Sequence, residues 1–152
     1  MEPTLYLLFD GQCLEALRLY AATLDGEILT VMHPSDVPAD APPGGADCGP
    51  PPPEHFVIHA SMRLGQGMLM ASDCPPGTYL PPQGFSVSIA PPTRAEFDRI
   101  WAALSEGARA VPMPPGETFF AERFTMFTDR FGTPWMLNFI GARAPAAGAP
   151  PA

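Results

Sequence analysis

Cationic residues are scarce in this sequence. Lys and Arg together number 8 among 152 residues, against 16 Asp and Glu, for a formal net charge of −8. The cations are scattered rather than clustered. An acidic surface repels phosphate backbones and anionic lipid, which argues against nucleic acid and membrane surfaces as partners. Cysteine is also scarce: Cys13, Cys48 and Cys74 form an odd set with no C-x-x-C spacing. That argues against a disulfide framework and a structural zinc site, and predicts ordinary reduced thiols. No apolar run reaches the roughly 20 residues that a membrane-spanning helix needs. The opening Met-Glu-Pro-Thr lacks the basic region and apolar core of a signal peptide, so a cytoplasmic location is expected.

Proline is abundant instead, at 22 residues, with one cluster from Pro34 to Pro53 and another closing the chain from Pro145 to Pro151. Proline fixes φ and lacks a donor, so these read as a loop over 34–53 and a disordered Pro/Ala tail over 144–152. The rest reads as one domain over 1–143, made of modules 1–74 and 84–143.

The first module opens with a β-rich run, Thr4–Phe9, broken at Asp10-Gly11. From Gln12 to Leu24, residues Leu14, Leu17, Tyr20, Ala21 and Leu24 recur at helical spacing. Gly26 sits where a left-handed C′ residue is expected. Glu27–Met32 reads as a strand. His55–Leu64 alternates, with Ile58, Ala60, Met62 and Leu64 on one side and His59, Ser61 and Arg63 on the other. Gly65-Gln66-Gly67 makes a hairpin turn, and Met68–Ser72 returns. The order is βαβββ.

The same order recurs. Phe85–Ala90 is a strand with Ser86 and Ser88 on one face. Thr93 and Glu96 form a capping-box signature that opens a helix with Phe97, Ile100, Trp101 and Leu104 on its apolar side. Ala108–Val111 is a short strand, and Phe119–Thr128 and Pro134–Ile140 form a hairpin across Asp129-Arg130-Phe131-Gly132. Tyr20 lies six residues before Gly26 and Trp101 six before Gly107, so both helices carry an aromatic at one place. The predicted fold class is α+β: two βαβββ modules whose mixed sheets curl around a cavity. Each helix covers one sheet face. The other face would carry His59, Ser61, Ser86, Ser88, Met136 and Asn138, a polar lining among methionines that suits a ligand pocket. The competing reading is an open sheet face in solvent.

Three segments resemble a known family: LYLLFDGQCLEALRLYAATLDGEIL, HFVIHASMRLGQGMLMASD and ETFFAERFTMFTDRFGTPWMLN. They are similar to PhnB-like proteins, a branch labelled with a demethylubiquinone methyltransferase name. That branch sits within the vicinal-oxygen-chelate superfamily of glyoxalase I, extradiol dioxygenases and bleomycin- and fosfomycin-resistance proteins. The resemblance runs from Thr4 to Ile140, apart from the Pro-rich loop. It implies paired βαβββ modules and a homodimer, but no single reaction. The chain shows no Gly-rich strand-to-helix turn that could cradle S-adenosylmethionine.

Catalytic members of the superfamily hold a divalent ion with His and Glu from the first, fourth, fifth and eighth strands. Here Thr4–Phe9, Met68–Ser72 and Phe85–Ala90 contain no His, Asp or Glu, and the last slot falls near Met136, with Asn138 two residues on. The expectation is no metal and no cofactor. His59 could act as a general base or simply shape the cavity. His55 and His59, four apart on one strand, share a face but lack further donors. Arg123 either pairs with a carboxylate in the fold or grips an anion, with structural pairing favoured. Phe119, Phe120, Phe124, Phe127, Phe131 and Trp135 form an aromatic-rich stretch, mostly core, with one or two at a pocket mouth. The leading expectation is a metal-free protein that binds a small molecule. The alternatives are an enzyme, using His59 as base or a metal at unconventional positions, and an interaction role with a vestigial cavity.

Overall fold

The computed structural model describes residues 3–40 and 53–143. The tail, most of the Pro-rich loop and Cys48 lie outside the described residues. The chain divides into two compact units, Met1–Pro81 and Pro82–Ala152.

In the first unit β1 (Leu5–Phe9) leads into α1 (Cys13–Leu24), then β2 (Glu27–Met32), β3 (His59–Leu64) and β4 (Gly67–Asp73). The sheet order is β1-β4-β3-β2. β1 runs parallel to β4, and the other neighbours are antiparallel. Leu7, Phe9, Ala60, Met62, Leu69 and Ala71 are buried on the face that α1 covers, as are Leu17 and Tyr20 of α1.

The second unit repeats this plan with β5 (Val87–Ile89), α2 (Arg94–Leu104), β6 (Ala110–Gly116), β7 (Arg123–Thr128) and β8 (Pro134–Phe139). Its order is β5-β8-β7-β6, again with one parallel pair, β5 and β8. Phe97, Ile100 and Leu104 of α2 are buried, as are Phe127, Trp135 and Leu137 of the sheet. Trp101 meets Phe127 edge-to-face at 5.0 Å. Thr93 caps α2 by accepting the Glu96 N–H at 3.2 Å, as its spacing predicts. The βαβββ order is present twice, in an α+β fold.

Several boundaries differ from the sequence reading. The third strand begins at His59 rather than His55. His55 lies in an exposed turn, so it does not share a sheet face with His59. The cause is local hydrogen bonding: Phe56 N–H donates to the Pro53 carbonyl, and Val57 N–H to the Asp73 carboxylate. The strand expected over Phe85–Ala90 is limited to Val87–Ile89, because only those residues find partners on β8. β6 is longer than expected and crosses Pro112, Pro114 and Pro115. An edge strand tolerates proline because one side of its backbone needs no partner. β7 starts at Arg123, not Phe119, because Thr118–Ala121 closes into its own turn. Pro34–Asp36 forms a single 3-10 turn within the expected loop.

Gly26 is also placed differently. The left-handed residue after α1 is Asp25, with φ 52°, and Gly26 serves close approach instead. A Cβ there would stand 2.7 Å from Leu64 Cδ2 and 3.1 Å from the Arg63 carbonyl oxygen. No helix among the described residues is long and apolar enough to cross a membrane.

Candidate functional site: the helix-free sheet faces

Two buried aspartates position what the strands present. Asp73, at the end of β4, accepts the Cys13 N–H at the start of α1 and the Val57 N–H, both at 2.9 Å. Asp129, between β7 and β8, accepts the Phe131 N–H at 2.9 Å, the Thr133 N–H at 3.0 Å and the Trp135 indole N–H at 2.9 Å. Charged acceptors of several N–H groups are among the stronger local anchors. They hold the register, and register decides which side chains face away from the helices. The Cys13 thiol is pushed up to about 12 by burial, and secondarily by the Asp73 charge.

On the first sheet, Tyr6 pairs with Met70, Ser61 with Met70 and Thr30, and Leu8 with Ser72, all opposite in phase to the buried Leu7, Ala60 and Ala71. His59 shares this face, and the Tyr6 hydroxyl lies 3.2 Å from His59 Nδ1. The two rings tilt at 34° with centroids 5.9 Å apart. Ser61 and Ser72 are buried, whereas Tyr6 and Leu8 are exposed. The expected parity of His59 and Ser61 therefore holds: neither packs beneath α1. Tyr6 was not singled out from the sequence, although its alternation with Leu5 and Leu7 carries the signal.

On the second sheet, Ser88 pairs with Met136, Met126 with Met136, and Phe124 with Asn138. All oppose Phe127, Trp135 and Leu137 in phase, so they face away from α2. Asn138 Oδ1 is buried with no hydrogen-bond partner among the described residues. Ser86 is half-buried but precedes β5, and no ladder register assigns it to this face. The aromatic residues extend outward from Phe124. Phe120 meets Phe124 edge-to-face at 5.2 Å, and Phe119 meets Phe120 at 5.0 Å.

Arg123 pairs inside the fold: its Nη2 donates to Asp98 Oδ1 at 2.5 Å, and its Cζ lies 5.4 Å from the Phe97 ring centroid. It also borders a recess of about 450 Å³ lined by Arg94, Glu117, Glu122 and Arg143. There Arg143 is tied to Glu117, and Glu122 accepts the Ala142 N–H at 2.7 Å. Pairing within the protein engages most of the charge in that recess.

A divalent ion of the superfamily type would need imidazole or carboxylate donors on β1, β4, β5 and β8. The helix-free positions there are Tyr6, Leu8, Met68, Met70, Ser72, Ser88, Pro134, Met136 and Asn138, and none is a carboxylate or imidazole. Among the described residues, no three His, Cys, Asp or Glu side chains gather to hold a metal. The residues present do not fit that ion.

Comparisons with known proteins agree with this architecture. Protein YjdN of Escherichia coli is 31% identical over 137 residues, spanning 89% of this chain and 92% of YjdN. The crystal structure of PA1353 from Pseudomonas aeruginosa matches with a TM-score of 0.76 at 37% identity, covering 91% of this chain and 97% of that one. The PhnB protein from Bacillus cereus, described as a 3-demethylubiquinone-9 3-methyltransferase, matches at 0.72 with 26% identity, over 91% and 99% of the two chains. At the level of fold alone, a glyoxylase/bleomycin resistance protein/dioxygenase domain from Frankia matches at 0.61 with 17% identity, over 93% of each chain. The family model described as 3-demethylubiquinone-9 3-methyltransferase spans residues 2–138. The chain belongs to that family, is similar to the PhnB protein over nearly its whole length, and shares its fold with the glyoxylase/bleomycin resistance protein/dioxygenase domain.

Proposed function

We propose that this protein binds a small organic molecule on the helix-free faces of its sheets, without a metal ion or other cofactor. Asn138 carries the reading. A buried amide oxygen without a partner costs about 1–3 kcal/mol, a penalty that a ligand donor would relieve. Met136, Met126 and Ser88 lie around it by register, and thioethers adapt to irregular ligand shapes. His59, Ser61 and Tyr6 offer a second polar group on the first sheet; Ser86 adds a hydroxyl just ahead of β5. The donor chemistry supports the metal-free part of the reading. Methyl transfer, the activity in the family's description, gains no support from these mixed four-stranded sheets, which differ from the doubly wound parallel sheets that commonly bind nucleotide-like cofactors.

A homodimer and a cytoplasmic setting complete the proposal. The family resemblance and the exposed apolar side chains Tyr6, Leu8, Met32 and Met68 support the first. The free thiols Cys13 and Cys74 support the second.

Screening a metabolite library by ligand-observed NMR against the untagged protein tests the function. Binding that weakens in His59→Ala or in Asn138→Ala, with melting temperatures kept, is the expected result. Elemental analysis after dialysis is the companion measurement. One Zn, Ni, Mn or Fe per chain, lost in His59→Ala, would overturn the metal-free reading and put an enzyme in its place.

A further inference from the structure

We infer that the molecule held on the second sheet is a neutral, planar aromatic compound bearing a hydrogen-bond donor, gripped between the Asn138 amide and the Phe119–Phe120–Phe124 ladder. This rests on the binding reading above and names the ligand's chemical class.

Three observations converge. The first is the acceptor: Asn138 Oδ1 is buried and has no partner among the described residues, so the group that completes it must donate. The second is its neighbour. Phe124 is the cross-strand partner of Asn138 on the same face, which brings their Cβ atoms to about 4.5–5.5 Å. A ring lying on Phe124 would sit beside Asn138, and a turn of the amide would bring its oxygen to the ring's donor. The third is the ladder's outer end. Phe119 is 90% exposed, a large apolar side chain left in solvent. Its turn is nonetheless well tied: Thr118 N–H donates to the Ala121 carbonyl and Ala121 N–H to Thr118 Oγ1, both at 3.0 Å, and Ala121 is fully buried. A hydrogen-bonded turn that presents an aromatic ring to solvent is pre-organised for contact, because the ordering cost is met before the ligand arrives.

The absence of charge on the face sets the ligand's charge. The helix-free positions of β5, β7 and β8 are Ser88, Phe124, Met126, Thr128, Pro134, Met136 and Asn138, all neutral. Desolvating an ionic ligand there would go uncompensated. The chain's net charge of −8 disfavours anions further. Methionine sulfur beside an aromatic ring adds favourable contact, and Met113 stands opposite Met126 in the ladder of β6 and β7.

The probes are 2-naphthol and 2-methoxynaphthalene, which share a ring system and differ in the donor. Titration is followed by NMR on the full-length protein at neutral pH. The wild type should bind 2-naphthol about tenfold more tightly, the ratio that one lost donor–acceptor contact of about 1.4 kcal/mol produces. Asn138→Leu should abolish that preference. Phe119→Ala should weaken both probes by a similar factor, roughly 2–10-fold. Should Asn138→Leu not fold, the wild-type ratio and Phe119→Ala still decide. Equal affinities in the wild type, a preference that survives Asn138→Leu, or no binding of either probe overturns this inference. If library ligands of other chemistry still depend on His59 or on Asn138, the broader binding proposal stands and only the ligand class fails.

Discussion

Replacing Asp129 by Asn tests how the second sheet holds its register. The change is nearly isosteric, so packing is kept and only charge and one acceptor are lost. The carboxylate accepts the Phe131 and Thr133 N–H groups on Oδ1 and the Trp135 indole on Oδ2. An amide has a single oxygen. If it stays with the two backbone donors, the NH2 confronts the indole N–H; if it turns, the NH2 confronts both backbone donors. The gentler arrangement removes one hydrogen bond to a charged acceptor, about 1.5–3 kcal/mol, and weakens the two that remain. The expected loss is about 2–4 kcal/mol, or roughly 5–15 °C in melting temperature for a chain of this size. Urea denaturation followed by tryptophan fluorescence measures it, and Trp135→Phe completes a double-mutant cycle with a coupling energy of about 1–3 kcal/mol. Ligand affinity should fall as well, because a one-residue slip would turn Asn138 toward α2. A loss below about 0.5 kcal/mol, the ordinary range of surface substitutions, would refute the role assigned to Asp129.

Thiol chemistry should separate Cys13 from Cys74. With its thiol pushed up to about 12, buried Cys13 should resist alkylation at pH 8 until the protein unfolds, while half-buried Cys74, raised by burial and then by Asp10 and Asp73, should react slowly in the native state; peptide mapping reads both. Folding holds the Cys13 proton more tightly than the unfolded chain does, so stability is full below the usual thiol value of 9.0 and falls as pH rises from there toward about 12. Cys13→Ala should flatten that decline, and an unchanged alkaline slope would count against it. Gly26→Ala should cost about 1–3 kcal/mol by urea denaturation, since its Cβ would press on Leu64 and the Arg63 carbonyl, whereas Asp25→Gly should be neutral or stabilise by up to about 1 kcal/mol by relieving a left-handed residue. Static light scattering should give the mass of two chains at micromolar concentration, and a single-chain mass at all concentrations would exclude the homodimer.

The element order was legible because burial on one face imposes a period, and period is written along the chain. Helical spacing from Leu14 to Leu24 and alternation from His55 to Leu64 identified α1 and β3, the latter four residues too long, and the Thr93–Glu96 pair marked the start of α2. Parity also assigned His59, Ser61, Ser88, Met136 and Asn138 to the helix-free faces, since a strand's side chains must alternate whatever lies around them. Strand ends depend on partners that are distant in sequence. Phe85 and Ser86 read as strand, but β8 offers them no pairing; Pro112, Pro114 and Pro115 read as loop, yet β6 tolerates them because it is an edge. His55 looked like a pleat-mate of His59 until the Asp73 carboxylate claimed the backbone of Val57, a contact spanning 16 residues. The Tyr6–His59 contact spans 53 residues, and the aspartate anchors and the unpartnered oxygen of Asn138 are likewise facts of three-dimensional packing. Local pattern determines which way a side chain points; only the folded neighbours determine whether its polar atoms find a partner.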